Sequence, residues 1–487
     1  MALHRSSESS CAVRSPRAWA GAAALALLSA CSSLPRIVPD MARSAPTAHL
    51  AGARGPLSVA RSKEILDGLR AGGKEAGVLD RHLALEAAIS DSPLLAGNKV
   101  QLLQDGPMTY DAMLAAIGAA RDHINMETYI LEDDAVGQRF ADALIARQRA
   151  GVQVNLIADG VGTLGTPAAF FERLREAGID VLVFNPVNPL TAKAGWDVNQ
   201  RDHRKLLITD GKTAFLGGIN ISSVYSGGSF GRRTKAQPDS KLPWRDTDLQ
   251  IDGPVVAELQ KLFIETWQKQ KGAPLAPRRY YPPLARQGSD VVHAIGGSPD
   301  EPYSLIYATL ISAIDSAAKE ILLTNAYFVP DPQLIASLRQ AVARGVDVKI
   351  VLPAATDSAL VFHAGRSYYD ELLRDGVKIY ERENALLHAK TALIDGVWST
   401  VIRKALHGVV EQACCGVHCY SARQAISSGH PVRCSIGARS GGHLSNRLGH
   451  NWRAESKQTK HWAAAGHCQR VLPALPPTDA AFVSVRT

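Results

Sequence analysis

Three things are missing from most of this 487-residue sequence. There is no N-terminal apolar run long enough to cross a bilayer. The run from Ala18 to Leu28 is well short of the roughly 20 apolar residues a spanning helix needs. Cysteine is scarce before the end of the chain, with only Cys11 and Cys31 ahead of residue 401. That scarcity, with a length ample for two or three domains with their own cores, excludes a disulfide-stapled mini-protein. Net charge is missing as well. The whole chain carries 54 Lys+Arg against 46 Asp+Glu, a charge of +8, which on its own invites a phosphate-bearing partner. The 86 residues from Ile402 hold 11 basic and 3 acidic side chains, which leaves 43 of each in residues 1–401. A neutral body argues against a strongly basic nucleic-acid groove, so no nucleic-acid partner is expected. With 46% hydrophobic and 21% charged residues, the chain is not a solvated disordered one.

What is present begins with an export signal. Arg5, Arg14 and Arg17 precede the apolar run, which ends in Leu28-Ser29-Ala30-Cys31. That ending resembles a bacterial lipobox, which implies that diacylglycerol is attached to the Cys31 sulfur. Ser32 and Ser33 follow in place of Asp. The expected product is a lipoprotein of the bacterial cell envelope, facing the periplasm at the outer membrane, with the membrane surface as a partner. Residues 1–31 are then signal. Residues 32–94 are a tether, rich in Ala, Pro, Ser and Arg to residue 60, followed by a helical region.

The remainder contains one α/β unit twice. Residues 112–120 have helical periodicity, Ile124–Leu131 reads as a strand, a helix carries Phe140, Leu144 and Ile145, and Gly151–Ile157 alternates as a strand. Leu305–Ala318, Glu320–Val329, Gln333–Arg344 and Gly345–Val351 repeat that order. Each half continues to a further strand, Ile179–Phe184 and Val377–Tyr380. Such alternation predicts an α/β fold with a mixed sheet flanked by helices in each half. The halves are placed at 95–272 and 289–401, joined by the Pro-rich segment 273–288.

Each half ends in the same constellation, His203-Arg-Lys205 with Asp210 and His388-Ala-Lys390 with Asp395. In strands, residues i and i+2 share a face, so each His lies beside its Lys while the Asp points away. Imidazole beside ammonium suits phosphate chemistry: the ring attacks or moves a proton, and the amine holds phosphoryl oxygens. All six form the candidate catalytic set, with Asp210 and Asp395 read as structural charges that fix loops.

These paired motifs resemble the phospholipase D superfamily, and within it bacterial cardiolipin synthases. The resemblance also rests on Glu127-Thr-Tyr-Ile130, Gly217-Gly-Ile-Asn220, Trp244-Arg-Asp246, Phe328-Val-Pro330 and Ile394-Asp-Gly-Val-Trp-Ser-Thr400. It runs from about residue 95 to 401. It implies two pseudo-symmetric sandwich halves sharing one active site, and a phosphatidyltransferase that works through a phosphohistidine and needs no metal or other cofactor. By that analogy His203 is the nucleophile and His388 the acid/base. Asn220, behind Gly217 and Gly218, donates to a phosphate oxygen in the substrate-binding set, and Asp246 orients a catalytic His. Phospholipids, phosphatidylglycerol first, are the implied substrates. The alternatives are a hydrolase of phospholipid or nucleic-acid phosphodiesters and an inactive, truncated lipoprotein. The Gly- and Lys/Arg-rich stretch Ser226–Leu242 reads either as a loop that meets anionic headgroups or as a solvated one.

The family pattern stops after residue 401. Where a second Gly-Ser-x-Asn is due, the chain reads Ile402-Arg-Lys-Ala405, followed by five of its 7 Cys and seven of its 15 His. Cys414, Cys415, His418 and Cys419 match no standard zinc module, and no metal is expected there. Residues 402–487 are therefore expected to come from a shifted reading frame, leaving the second half truncated or altered. Resequencing the locus tests this: an intact frame with matching tail peptides by mass spectrometry would refute it.

Overall fold

The computed structural model describes residues 49–72, 78–187, 200–227, 242–297 and 304–401, and the backbone of 406–407 and 412–420. All lie within one compact unit, Ile37–Thr487. Cys31, most of the basic stretch 226–242 and most of the tail fall outside these residues.

The first half runs β1 (Leu94–Leu103), α1 (Gly106–Ala119), β2 (His123–Thr128), α2 (Ala135–Arg149), β3 (Gln153–Asp159), α3 (Ala168–Glu176) and β4 (Asp180–Phe184). It closes with β5 (Leu206–Thr209), β6 (Thr213–Gly217), β7 (Asp248–Asp252) and α4 (Val256–Lys269). The second half repeats the order as β8 (Asp290–Gly297), α5 (Leu305–Ser316), β9 (Glu320–Thr324), α6 (Pro332–Ala343), β10 (Asp347–Pro353), α7 (Ala359–Arg366) and α8 (Tyr369–Arg374). It closes with β11 (Lys378–Arg382), β12 (Thr391–Ile394), β13 (Trp398–Val401) and β14 (Gln412–Tyr420). Asp134 and Asp331 start α2 and α6 in the same way, each accepting two backbone N–H groups of the first turn. Such a cap stabilises its helix by about 1 kcal/mol.

Strand pairing runs β4-β3-β2-β5-β6-β7-β1-β8-β14-β13-β12-β9-β10-β11, a single mixed sheet whose two-fold pseudo-axis falls between β1 and β8. The triplets β2-β3-β4 and β9-β10-β11 are parallel. Both faces of β3 are covered: Val154, Leu156 and Ala158 join the α1–α3 cluster, whereas Ile157 joins the α4 cluster. Two-sided burial is why β3 reads as a nearly continuous apolar run.

Two expectations need correction. The segment expected to be a tether contributes to the fold from residue 50. Leu50–Gly52 pairs with β1, and Leu66, Leu69, Val78, Leu79 and Leu83 enter the second half's core. The helix Val59–Gly72 falls in the region expected to be helical. The tail, in turn, is not wholly without strands. Gln412–Tyr420 lies between β8 and β13, in the seat that β7 takes in the first half.

Candidate active site

Register fixes which edge of the sheet carries the chemistry. β5 runs antiparallel to β2, with Glu127 opposite Leu206, so His203 and Lys205 sit where the parallel strands end. β12 and β9 do the same for His388 and Lys390, with Thr324 opposite Thr391. In an α/β sheet this carboxyl edge is where ligands bind.

Both motifs enter their strands as extended backbone, and each is flanked by a segment of the other half. Trp244–Arg245 pairs with Leu386–Leu387, and Gln412–Ala413 pairs with Arg201–Asp202. The His388 N–H donates to the Arg245 carbonyl at 2.7 Å. One residue further on, Asp246 places Oδ2 2.6 Å from His388 Nδ1. Asp246 is 1% exposed, and its Oδ1 accepts the Thr247 N–H. The Trp244 and Tyr327 rings flank the imidazole at 5.1 and 5.8 Å.

Each lysine reaches back to its own motif. Lys205 Nζ donates to the His203 carbonyl at 2.9 Å, and Lys390 Nζ to the His388 carbonyl at 2.5 Å. Lys205 lies over Tyr129 and Lys390 over Tyr327, at 5.3 and 5.5 Å from the ring centres. Tyr129 also packs 4.1 Å from the His203 ring. Both ammonium groups belong to residues at most 5% exposed, so an incoming anion meets them with little water in between. Burial, then the Lys390 charge, push His388 down to about 4 against the opposing pull of Asp246. The Lys205 charge acts in the same direction from the other half, so the two motifs share one electrostatic environment. Asp246 lies below the ordinary carboxylate value: burial raises it, and the His388 and Lys390 contacts outweigh that. At neutral pH the pair is a carboxylate and a neutral imidazole. Its Nδ1–H is donated to Asp246, and its Nε2 lone pair is left for chemistry.

Asp210 and Asp395 are elsewhere. Both sit at the far ends of four-residue strands, five residues and so roughly 17 Å along the chain direction from the lysines at about 3.3 Å per residue. Asp210 accepts the N–H groups of Arg121, Asp122 and His123, and Asp395 those of Ala318, Lys319 and Glu320. Each has φ +53° and precedes a left-handed glycine, Gly211 or Gly396. Asp and Gly are the residues that tolerate such a hairpin turn. These two members of the candidate set build loops, as the strand-face argument implied, and touch no reacting group.

Gly217 and Gly218, assigned to substrate binding, sit under carboxylates. A Cβ on Gly218 would lie 2.1 Å from Asp246 Oδ1, and one on Gly217 within 1.8 Å of Asp248 Oδ1. Asn220 is 2% exposed. Its Nδ2 donates to Tyr225 Oη at 3.1 Å and its Oδ1 accepts the Ile130 N–H at 3.2 Å. Tyr225 Oη in turn lies 3.5 Å from His388 Nδ1. Asn220 therefore stands one residue behind the imidazole. Tyr225 and Tyr327, which touch His388, have no local signal in the sequence. Asp357, which accepts the Tyr327 hydroxyl at 2.9 Å, has none either.

The pseudo-symmetry also reads out the tail. Leu131 bridges Ile221 in the first half, and Phe328–Val329 pairs with Leu406–His407 in the second. Counting from the paired dipeptides, the backbone of Cys414 stands at the place of Asp246.

Comparison with known proteins agrees with this architecture. The family described as "Cardiolipin synthase, PLD-like domain" matches residues 113–226 and 310–401, ending at the residue where the composition changes. The chain is 34% identical over 324 residues to a cardiolipin synthase of Geobacillus kaustophilus, which covers 66% of this chain. It is 35% identical over 315 residues to cardiolipin synthase A of Pseudomonas putida, covering 63% of this chain. It spans 62% of the length of each of these relatives. Among solved structures, the phosphatidylserine synthase of Haemophilus influenzae superposes with a TM-score of 0.50 at 13% identity. That match covers 69% of this chain and 85% of the other. It shows the shared fold. With two matched segments, 34–35% identity to cardiolipin synthases and one doubled motif, the family this chain resembles is the phospholipase D superfamily.

Proposed function

We propose that the site transfers a phosphatidyl group from phosphatidylglycerol to a second lipid alcohol, the reaction that makes cardiolipin. The observation that carries this reading is the Asp246–His388 pair, 2.6 Å apart and buried beside Lys390. His388 Nε2 attacks phosphorus, the N–P bond forms, and the P–O bond to glycerol breaks. Lys205 and Lys390 hold the equatorial oxygens, and glycerol leaves with a proton from His203. A second phosphatidylglycerol then gives its hydroxyl proton to His203 and attacks phosphorus. The N–P bond breaks, and cardiolipin and the free enzyme result. Splitting one displacement into two is covalent catalysis.

The order of the histidines follows from protonation. A nucleophile must be neutral at the start, and a ring pushed down to about 4 is neutral throughout the physiological range. We therefore assign attack to His388 and proton transfer to His203, the reverse of the order the family analogy implies. The second Nδ2 hydrogen of Asn220 is the candidate phosphate contact. The chain is held at the membrane through Cys31.

Purified protein incubated with phosphatidylglycerol, with and without added glycerol, tests this reading. Cardiolipin that declines as glycerol is added is the expected result. Phosphatidic acid as the main product would assign hydrolysis instead, and no product would point to an inactive tail. Acid-labile phosphate on a peptide containing His203 would overturn the assigned order.

A further inference from the structure

Six large apolar residues among the described ones are markedly exposed: Val59, Met108, Leu164, Val224, Tyr281 and Leu360. Four of the six gather on one edge. Met108 follows the end of β1, Leu164 the end of β3 and Leu360 the end of β10, while Val224 follows Asn220. Gly106 packs on the Tyr225 carbonyl, which brings the Met108 and Val224 segments together. Register places the ends of β1, β3 and β10 on the edge that carries His203 and His388. Tyr281 follows Tyr280, which packs on Gly211 at the opposite edge, and Val59 opens the N-terminal helix.

Leu164, in the turn after β3, and Leu360, in helix α7 after β10, lie in matching connections of the two halves and are 66% and 83% exposed, so each half contributes one. Helix α7 strengthens the second flank. Of its eight residues Ala-Leu-Val-Phe-His-Ala-Gly-Arg, only Gly365 is buried, against the Phe328 carbonyl. The helix is fixed to the chemistry. Asp357, two residues before it, holds the hydroxyl of Tyr327, whose ring faces His388. Single exposed apolar residues are ordinary on a protein surface, but four of six gathered on the edge that carries the histidines are not.

We infer that this apolar rim beds into the acyl layer of a phospholipid bilayer, so that a headgroup phosphate reaches the histidines without the lipid leaving the membrane. The inference rests on the reading of the site as one for lipid phosphodiesters. In a phospholipid the phosphate lies next to the acyl boundary. A buried His/Lys floor inside an apolar rim has that same order of chemistry, anion-binding groups inside and hydrocarbon-binding groups around them.

The test compares full-length chains carrying Cys31→Ser, so that no attached acyl chain masks the effect. Leu164→Asp with Leu360→Asp is set against Val59→Asp, an exposed control away from the rim. Sedimentation with vesicles of phosphatidylglycerol and phosphatidylethanolamine should fall about tenfold for the rim variant and stay unchanged for Val59→Asp. kcat/KM on vesicle substrate should fall by a similar factor, while kcat on soluble dihexanoyl-phosphatidylglycerol is retained. Rim variants that sediment like the parent overturn the inference, as does equal loss on both substrates. A shift to a smaller oligomer without any change in vesicle binding also overturns it, and would assign the rim to a second copy of the chain. If the parent turns over neither substrate, the phosphodiester reading fails, and sedimentation still decides the docking.

Discussion

Replacing His388 with alanine is expected to lower phosphatidyl transfer by at least about 10⁴-fold, because it removes the proposed attacking atom. The fold should survive the change. The His388 backbone stays bonded to Arg245, and the lost ring leaves a gap between Trp244 and Tyr327 beside the opening. A melting temperature close to the parent, with turnover below a thousandth of it, is the expected pair of measurements. Turnover above a hundredth would sink the assignment. The pH profile gives a second reading of the same residue. Burial and the two lysines hold His388 near 4, so it becomes protonated, and loses its lone pair, only below that pH. The acid limb of kcat/KM should therefore fall near 4, well under the usual histidine value of about 6.5. An acid limb near 6.5 would mean that another group limits the reaction.

Asp246→Asn should cost about 10² to 10⁴ in kcat. An amide can present its NH₂ to the imidazole and select the wrong tautomer, and it no longer offsets the positive charge that forms on the ring as Nε2 bonds to phosphorus. The carboxylate pulls His388 upward, so its removal leaves the ring neutral at pH 7 and the loss cannot be put down to a protonated nucleophile. Gly218→Ala reaches the same carboxylate by another route, since its Cβ would lie 2.1 Å from Asp246 Oδ1. The two substitutions should therefore be strongly non-additive: once Asp246 is neutralised, the alanine should add less than about threefold. Full additivity would mean that Gly218 acts on something other than Asp246.

Much of this site was legible because it is doubled. His203 with Lys205 and His388 with Lys390 recur at one spacing, and alternation along a strand separates them from Asp210 and Asp395 in the sequence itself. The Asp-Gly turns, with both residues left-handed, are local features, and local features are written in local sequence. Asp246 was only a candidate because its partner lies 142 residues away and in the other half. Tyr225, Tyr327 and Asp357 were not legible for the same reason, as each meets the site through tertiary packing. Gly217 and Gly218 entered the substrate-binding set through the resemblance alone, and that they make room for the carboxylates of Asp248 and Asp246 is a tertiary feature with no local signal. The strand at 412–420 was not legible because its place is set by pairing with β8, far back in the chain.

The cross-half wiring constrains how the molecule turns over. β1 pairs directly with β8, Trp244–Arg245 with Leu386–Leu387, and Asp246 reaches His388, so the seam between the halves is made of backbone hydrogen bonds that end at a catalytic pair. Separating the halves would break that pair at the moment a product had to leave. On the proposed reaction, glycerol would have to exchange for the incoming alcohol with the seam shut, through the open edge. The proposed covalent phosphatidyl group would then stay between the paired halves while its two partners came and went by one doorway. Such a frame would favour ping-pong order. It would also make the doorway, rather than a hinge, the part of the protein that decides which alcohol completes the proposed reaction.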